Sequence, residues 1–101
     1  MHLVQILLPL ADNGGRPFPA SMLAAVRREL TERFGGLTAF TRAPAEGFWE
    51  GGEGTARDDV VVLEVMADAL DTAWWAAYRH DLETRFSQDA IVVRAQEIRL
   101  L

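Results

Sequence analysis

The chain of 101 residues contains no cysteine and no lysine, since all 10 of its basic residues are arginine. The lack of cysteine excludes thiolate nucleophiles, disulfides and metal sites with sulfur ligands. The lack of lysine excludes Schiff-base chemistry and the lysine of a phosphate-binding loop. The only histidines are His2 and His80, and no close ligand spacing joins them. We therefore expect neither a metal site nor another cofactor.

Positive charge is also scarce. The formal net charge is -5, which argues against nucleic acid as a partner, because phosphate neutralisation needs a clustered basic face. The N-terminal segment is apolar, but it alternates like a strand, is too short to span a bilayer and lacks the basic region and cleavage site of a signal peptide. We expect a cytoplasmic protein without a membrane segment.

Hydrophobic residues make up 50% of the chain, and their spacing predicts a single domain over residues 1–101. The predicted elements, in order, are a strand over 3–8, a helix over 20–34, a strand over 37–43, a strand over 60–66, a helix that follows a cap at Asp68, and a strand that begins near Ala90. Pro9 and Pro44 are expected to end the first two strands. Residues 45–57 are rich in glycine and acids and are typical of a mobile loop.

Two segments of the chain resemble each other. The sequence ELTERF at 29–34 matches DLETRF at 81–86, and the same spacing places an Arg-Ala pair at 42–43 and again at 94–95. The chain therefore divides into two β-α-β halves. Two such units with right-handed crossovers form a ferredoxin-like β-α-β-β-α-β plait, an α+β fold in which a four-stranded antiparallel sheet carries both helices on one face.

Strand alternation separates a helix-facing side of this sheet from an open face. The positions predicted to face the helices are Val4, Ile6, Val61, Leu63, Val65, Ile91 and Val93. The open face combines apolar residues with four polar ones, Gln5, Arg42, Glu64 and Arg94. Because a contiguous apolar surface usually marks an interface or a groove, we expect a homo-oligomer that pairs through the open face.

The four polar residues of the open face are the main candidate site, and two interpretations of them stay open. They could bind a small anionic ligand, with Glu64 as an acid or base beside the arginines. They could equally form a structural row of ion pairs inside a dimer interface, which is the commoner role of charges in such a place.

Aromatic residues and a histidine supply the remaining candidates. Phe48 and Trp49 lie on the acidic loop, where they either pin the loop to the core or line a ligand pocket or an oligomer contact, so Trp49 is a candidate ligand-binding residue. Trp74 fits the core stripe of the second helix and Trp75 its edge, because adjacent helical residues point about 100° apart. His80 lies one step from that stripe, is expected to face solvent, and is a second candidate for acid–base chemistry.

Three short motifs follow the first helix: Arg-Phe at 33–34, Gly-Leu-Thr at 36–38 and Gly-Phe-Trp at 47–49. A hydrophobic strand, a helix and a second Arg-Phe at 85–86 come after them. This succession resembles small bacterial domains of unknown function. The resemblance implies a ferredoxin-like fold and pairing through the sheets as dimers, and it implies no particular activity.

Two functions are compatible with these features. The first is a non-catalytic oligomeric or small-ligand-binding module, in which the polar residues of the open face stabilise the assembly. The alternative is a small cofactor-free enzyme of the dimeric α/β-barrel type, with Glu64 or His80 as the acid or base and an arginine as an anion clamp.

Overall fold

The computed structural model describes residues 1–47 and 56–101, and it describes side chains for 1–40 and 60–101. Its elements, in chain order, are β1 (His2–Pro9), α1 (Ala20–Phe34), β2 (Thr38–Gly47), β3 (Ala56–Ala67), α2 (Thr72–Arg85) and β4 (Val93–Glu97). All neighbouring strands pair antiparallel, in the order β2-β3-β1-β4. This order of elements and strands confirms the predicted ferredoxin-like plait.

The helix α1 has its predicted bounds, whereas all four strands differ from the prediction at one end or both. Pro44 does not end β2, because the pairing register shifts between Arg42 and Ala45 and the strand continues beyond the proline. A proline has no N–H to give to a ladder, and an irregularity accommodates it. The strand β3 is correspondingly longer, so the predicted acidic loop begins and ends inside paired strands. Its central residues, 48–55, lie outside the described residues, and so does the candidate Trp49.

The core lies between the helix-facing side of the sheet and the two helices, as the alternation predicts. Its members, all buried, are Val4, Ile6, Leu8, Val26, Leu30, Val61, Leu63, Val65, Trp75, Tyr78, Leu82, Phe86 and Ile91. Val93 is partly buried against them. Leu30 and Leu82 are fully inaccessible to solvent, and burial of a leucine contributes roughly 1.5–3 kcal/mol. The hydrophobic stabilisation of the domain therefore comes from one side of the sheet, and the open face is left for other contacts.

The start of α2 differs from the prediction in a way that exchanges the roles of the two tryptophans. Asp71, not Asp68, caps the helix, because its Oδ1 accepts a hydrogen bond from the Trp74 backbone N–H at 3.0 Å. Leu70 lies before the cap and outside the helix, so it does not determine which face of α2 packs against the core. Trp75 is the core residue, with 6% of its surface exposed, and Trp74 is only partly buried. Both tryptophans pack against the core, and only the predicted order of the two, with Trp74 in the core and Trp75 at its edge, is wrong.

One carboxylate fastens the two helices to each other. Glu29 on α1 accepts a hydrogen bond from the Tyr78 hydroxyl at 2.8 Å, and Arg85 Nη1 donates to both of its oxygens at 2.9 Å. Arg85 Nη2 also donates to Asp81 at 2.6 Å. Burial, and then the hydrogen bond to Glu29 and the charge of that carboxylate, raise the pKa of Tyr78 above its ordinary value.

Among the described residues, no helix is long and apolar enough to cross a membrane.

Candidate functional site

Side chains cross the open face in rows that the strand register defines. Gln5 lies opposite Glu64 on one side and opposite Arg94 on the other, and Glu64 lies opposite Thr38. We call these four residues the polar row. An apolar row runs beside it through Phe40, Val62, Leu7 and the neighbouring Val92. The polar row therefore spans all four strands, and an apolar surface borders it.

The side chain of Gln5 joins the two charged members of the polar row. Its Nε2 donates to Glu64 Oε2, and its Oε1 accepts from Arg94 Nε at 2.8 Å. A carboxylate and a guanidinium are thus held on one face with a neutral amide between them. Arg94 is exposed, and Gln5 and Glu64 are partly exposed. The second carboxylate oxygen of Glu64 and the terminal nitrogens of Arg94 can therefore serve a ligand.

The structure brings together three of the four predicted polar residues. Arg42 lies opposite Val60, at a position four residues along β3 from Glu64, so it does not belong to the polar row. Thr38 is the residue opposite Glu64. The alternation of β2 could have identified Thr38, since it shares the parity of Phe40. The register could not be read from the sequence, because alternation assigns a residue to a face of the sheet but does not say which residue of the next strand lies opposite it.

The second acid–base candidate lies in another layer of the molecule. His80 is on α2, on the opposite side of the sheet from Glu64, and its side chain is 81% exposed. Its Nδ1 lies 3.9 Å from Glu83 Oε1. His80 therefore faces solvent, as the sequence predicts. It does not belong to the polar row. Within the described ranges, no group of three histidines, aspartates or glutamates is placed to hold a metal ion.

A shallow depression lies at each charged end of the polar row, and Leu3 borders both. One depression is lined by Glu64, Met66 and the turn from α1 into β2, and the other by Gln5, Arg94 and Gln96. In the turn, Gly35 has a φ of 77° and ends α1. A left-handed backbone of this kind suits glycine, because a side chain there is strained. Each charge of the polar row thus opens onto a surface that can take part of a ligand.

The fold is similar to that of an enzyme. A solved phage SAM lyase in complex with S-methyl-5'-thioadenosine matches with a TM-score of 0.68 and 12% sequence identity, over 95% of this chain and 80% of that chain. A phage SAM lyase in the apo state matches with a TM-score of 0.57 and 16% identity, over 95% of this chain and 79% of that one. No protein-family model matches the chain, and no curated protein matches it in sequence. At these identities the likeness is one of fold.

This comparison corrects the sequence-based interpretation of function. The first interpretation was a non-catalytic oligomeric or ligand-binding module, and it is wrong, because the two solved structures above, which share the fold, are those of an enzyme, a phage SAM lyase. The alternation of apolar residues in the strands does not indicate an enzyme, because binding modules and enzymes share the same pattern. The resemblance to small bacterial domains of unknown function stays a prediction.

Proposed function

We propose that the chain is an enzyme that binds a SAM-like sulfonium compound on the open face and cleaves it with release of S-methyl-5'-thioadenosine. The observation that carries the proposal is the polar row, which holds Glu64 and Arg94 on either side of Gln5. The likeness in fold to a SAM lyase supplies the class of substrate.

The charges of the polar row match the amino-acid end of SAM. That end carries an ammonium and a carboxylate, and the ammonium can donate to Glu64 while the carboxylate accepts from Arg94. Charge-assisted hydrogen bonds of this kind are shorter and stronger than neutral ones. The apolar row beside these residues, with Phe40 44% exposed, offers a surface for the adenine. The polar row would thus orient the end of the substrate at which the bond breaks.

The reaction needs no co-reactant. Release of S-methyl-5'-thioadenosine breaks the bond between sulfur and Cγ of the amino-acid part, and the electron pair of that bond stays on sulfur. The bond that Cγ loses is replaced in one of two ways. Either the carboxylate of the amino-acid part attacks Cγ and closes a lactone ring, or a base removes a proton from Cβ and a double bond forms between Cβ and Cγ. Gln5 already donates to Glu64 Oε2, which favours a role for Glu64 in holding the ammonium over one in proton abstraction.

The test is to incubate the purified chain with SAM and to quantify S-methyl-5'-thioadenosine by liquid chromatography, against a blank without protein, since SAM also decays spontaneously. We expect formation of the product well above the blank and a loss of about 100-fold in kcat/KM for Glu64→Gln, because misplacement of a reacting group costs about that much. Arg94→Gln should lower the rate in the same direction.

Matched controls are Glu32→Gln and Arg99→Gln, which make the same changes at exposed positions outside the polar row. Both should retain the activity of the unaltered chain. A rate equal to the blank would overturn the proposal, and so would equal losses in Glu64→Gln and Glu32→Gln. The second product distinguishes the two routes, since a lactone indicates ring closure and an unsaturated amino acid indicates elimination.

A further inference from the structure

The neutral residue at the centre of the polar row, Gln5, lies between two opposite charges. Glu64 on β3 and Arg94 on β4 lie on either side of β1, so two strand spacings, about 10 Å, separate their backbones. Both side chains are long and lie on the same face of the sheet, so together they can bridge this distance. Because opposite charges attract, Glu64 and Arg94 would be expected to pair directly if nothing lay between them.

Other arginines of the chain do pair directly with nearby carboxylates. Arg85 lies 2.9 Å from Glu29 and 2.6 Å from Asp81, and Arg79 lies 2.8 Å from Glu83. None of the ion pairs within the described part of the chain includes a charged residue of the polar row. The two charges of the polar row bond instead to the amide between them.

The amide of Gln5 suits this position because its two ends differ. Its Nε2 donates to Glu64, whose carboxylate only accepts, and its Oε1 accepts at 2.8 Å from Arg94, whose guanidinium only donates. The reversed amide would lose both hydrogen bonds, so the two neighbours select one orientation. The other open-face residues of β1, Leu3 and Leu7, have no group that could form either bond.

We propose that Gln5 is a positioning residue that prevents Glu64 and Arg94 from pairing with each other and so keeps the polar row open to a zwitterion. This inference rests on the proposed function, which supplies the ligand. If the two charges were paired, the ligand would have to break that pair before its own ammonium and carboxylate could bind. With Gln5 in place there is no such pair to break. Gln5 acts in this way without touching the substrate.

The kinetic test is Gln5→Ala, which removes the amide and lets the two charged side chains meet. The KM for SAM should rise about fivefold, which is as much as a partly exposed ion pair ordinarily contributes. The kcat should stay within about twofold, because both charged residues remain and hold the bound substrate as before. A change in KM at constant kcat indicates a loss of binding and not of chemistry.

The matched control is the same substitution in the background of Arg94→Gln. No ion pair with Glu64 can form there, so the addition of Gln5→Ala should change the KM of Arg94→Gln by less than about twofold. If Gln5 served only the packing of the sheet, Gln5→Ala would raise the KM by the same factor in both backgrounds, since independent effects add. That result would overturn the inference, and so would a fall in kcat at unchanged KM.

A second measurement needs no SAM, so it separates a failure of this inference from a failure of the proposed function. It follows the side-chain Nε–H signal of Arg94 by NMR of the nitrogen-15-labelled chain. Glu64→Gln should shift this signal clearly in the background of Gln5→Ala, where the carboxylate is the partner of Arg94. It should shift the signal much less when Gln5 is present, because Arg94 then bonds to Gln5.

The two proposals therefore fail in different ways. Equal shifts of the Arg94 signal with and without Gln5 would overturn the positioning role, even in a chain that cleaves SAM. A chain that leaves SAM intact but shows the expected difference in shifts would overturn the proposed function, and it would support the role of Gln5 in keeping the charges apart.

Discussion

Stability at alkaline pH should depend on a single side chain, that of Tyr78. The sequence contains one tyrosine, no lysine and no cysteine. Arginine keeps its charge to above about pH 12, and an α-amino group titrates near about pH 8. Between about pH 9 and 12, the Tyr78 phenol is therefore the only side chain expected to lose a proton.

The structure determines the sign of this dependence. Tyr78 is 9% exposed and its hydroxyl donates to Glu29, so burial and the neighbouring carboxylate raise the pKa of Tyr78 in the folded chain. In the unfolded chain the phenol titrates near about pH 10. Below that pH it is neutral in both states and its contribution to stability is complete. Above it the unfolded state loses the proton first, so the free energy of unfolding should fall by about 1.4 kcal/mol per pH unit.

The assay is urea unfolding, followed by circular dichroism, of the unaltered chain and Tyr78→Phe across this pH range. At neutral pH, Tyr78→Phe should cost about 1.5–3 kcal/mol, the contribution of one hydrogen bond to a charged acceptor. Glu29 keeps Arg85 as a partner in that variant, which limits the loss. Tyr78→Phe should show a flat profile above pH 10, so the two free energies should converge. Parallel profiles would refute the reasoning, and so would phenolate absorbance in the folded chain near pH 10.

Further predictions concern the two helices. Trp75→Ala should cost about 3–5 kcal/mol in thermal or urea unfolding, and Trp74→Ala clearly less, because only Trp75 is buried; the reverse order would contradict the structure. Asp71→Ala should cost about 1 kcal/mol through loss of the cap, whereas Asp68→Ala should change the free energy of unfolding by less than about 0.5 kcal/mol. The hydrogen bond from the Ile91 backbone, and then the contact with Arg79, hold the pKa of Glu83 below its ordinary value. Stability from Glu83 is thus present above the pKa of an unfolded glutamate, near about 4.3, and is lost as the pH falls. The unaltered chain should therefore lose stability on acidification more steeply than Glu83→Gln, and equal acid profiles would contradict this.

The sequence determines the faces of the sheet well, because strand alternation has a fixed period and the apolar residues follow it. Val4, Ile6, Leu63 and Val65 are all buried as predicted. A repeat of β-α-β halves is enough to select one strand order from the possible ones, since right-handed crossovers exclude most alternatives. Gln5 and Glu64 were both predicted on the open face, and they are direct neighbours in the structure.

Other features depend on local choices that no periodicity encodes. Asp68 and Asp71 are equally good caps by residue type, and the choice between them rotates the helical stripe and exchanges Trp74 with Trp75. The distance of Arg42 from Glu64 depends on which residues of β2 and β3 lie opposite each other, and alternation alone does not determine this pairing.

Stability does not explain the polar row. Among the side chains that the structure describes, the buried core lies on the other side of the sheet, and Glu64 and Arg94 are joined through Gln5. Partly exposed charges of this kind contribute about 0–1 kcal/mol to stability, and valine or isoleucine at these positions would suit a strand better. The amide of Gln5 bonds one oxygen of Glu64 and the Nε of Arg94. The other carboxylate oxygen and the terminal guanidinium nitrogens can therefore form hydrogen bonds with a ligand on the same face. That capacity is what a zwitterionic ligand requires, which is why we place the reaction on the open face.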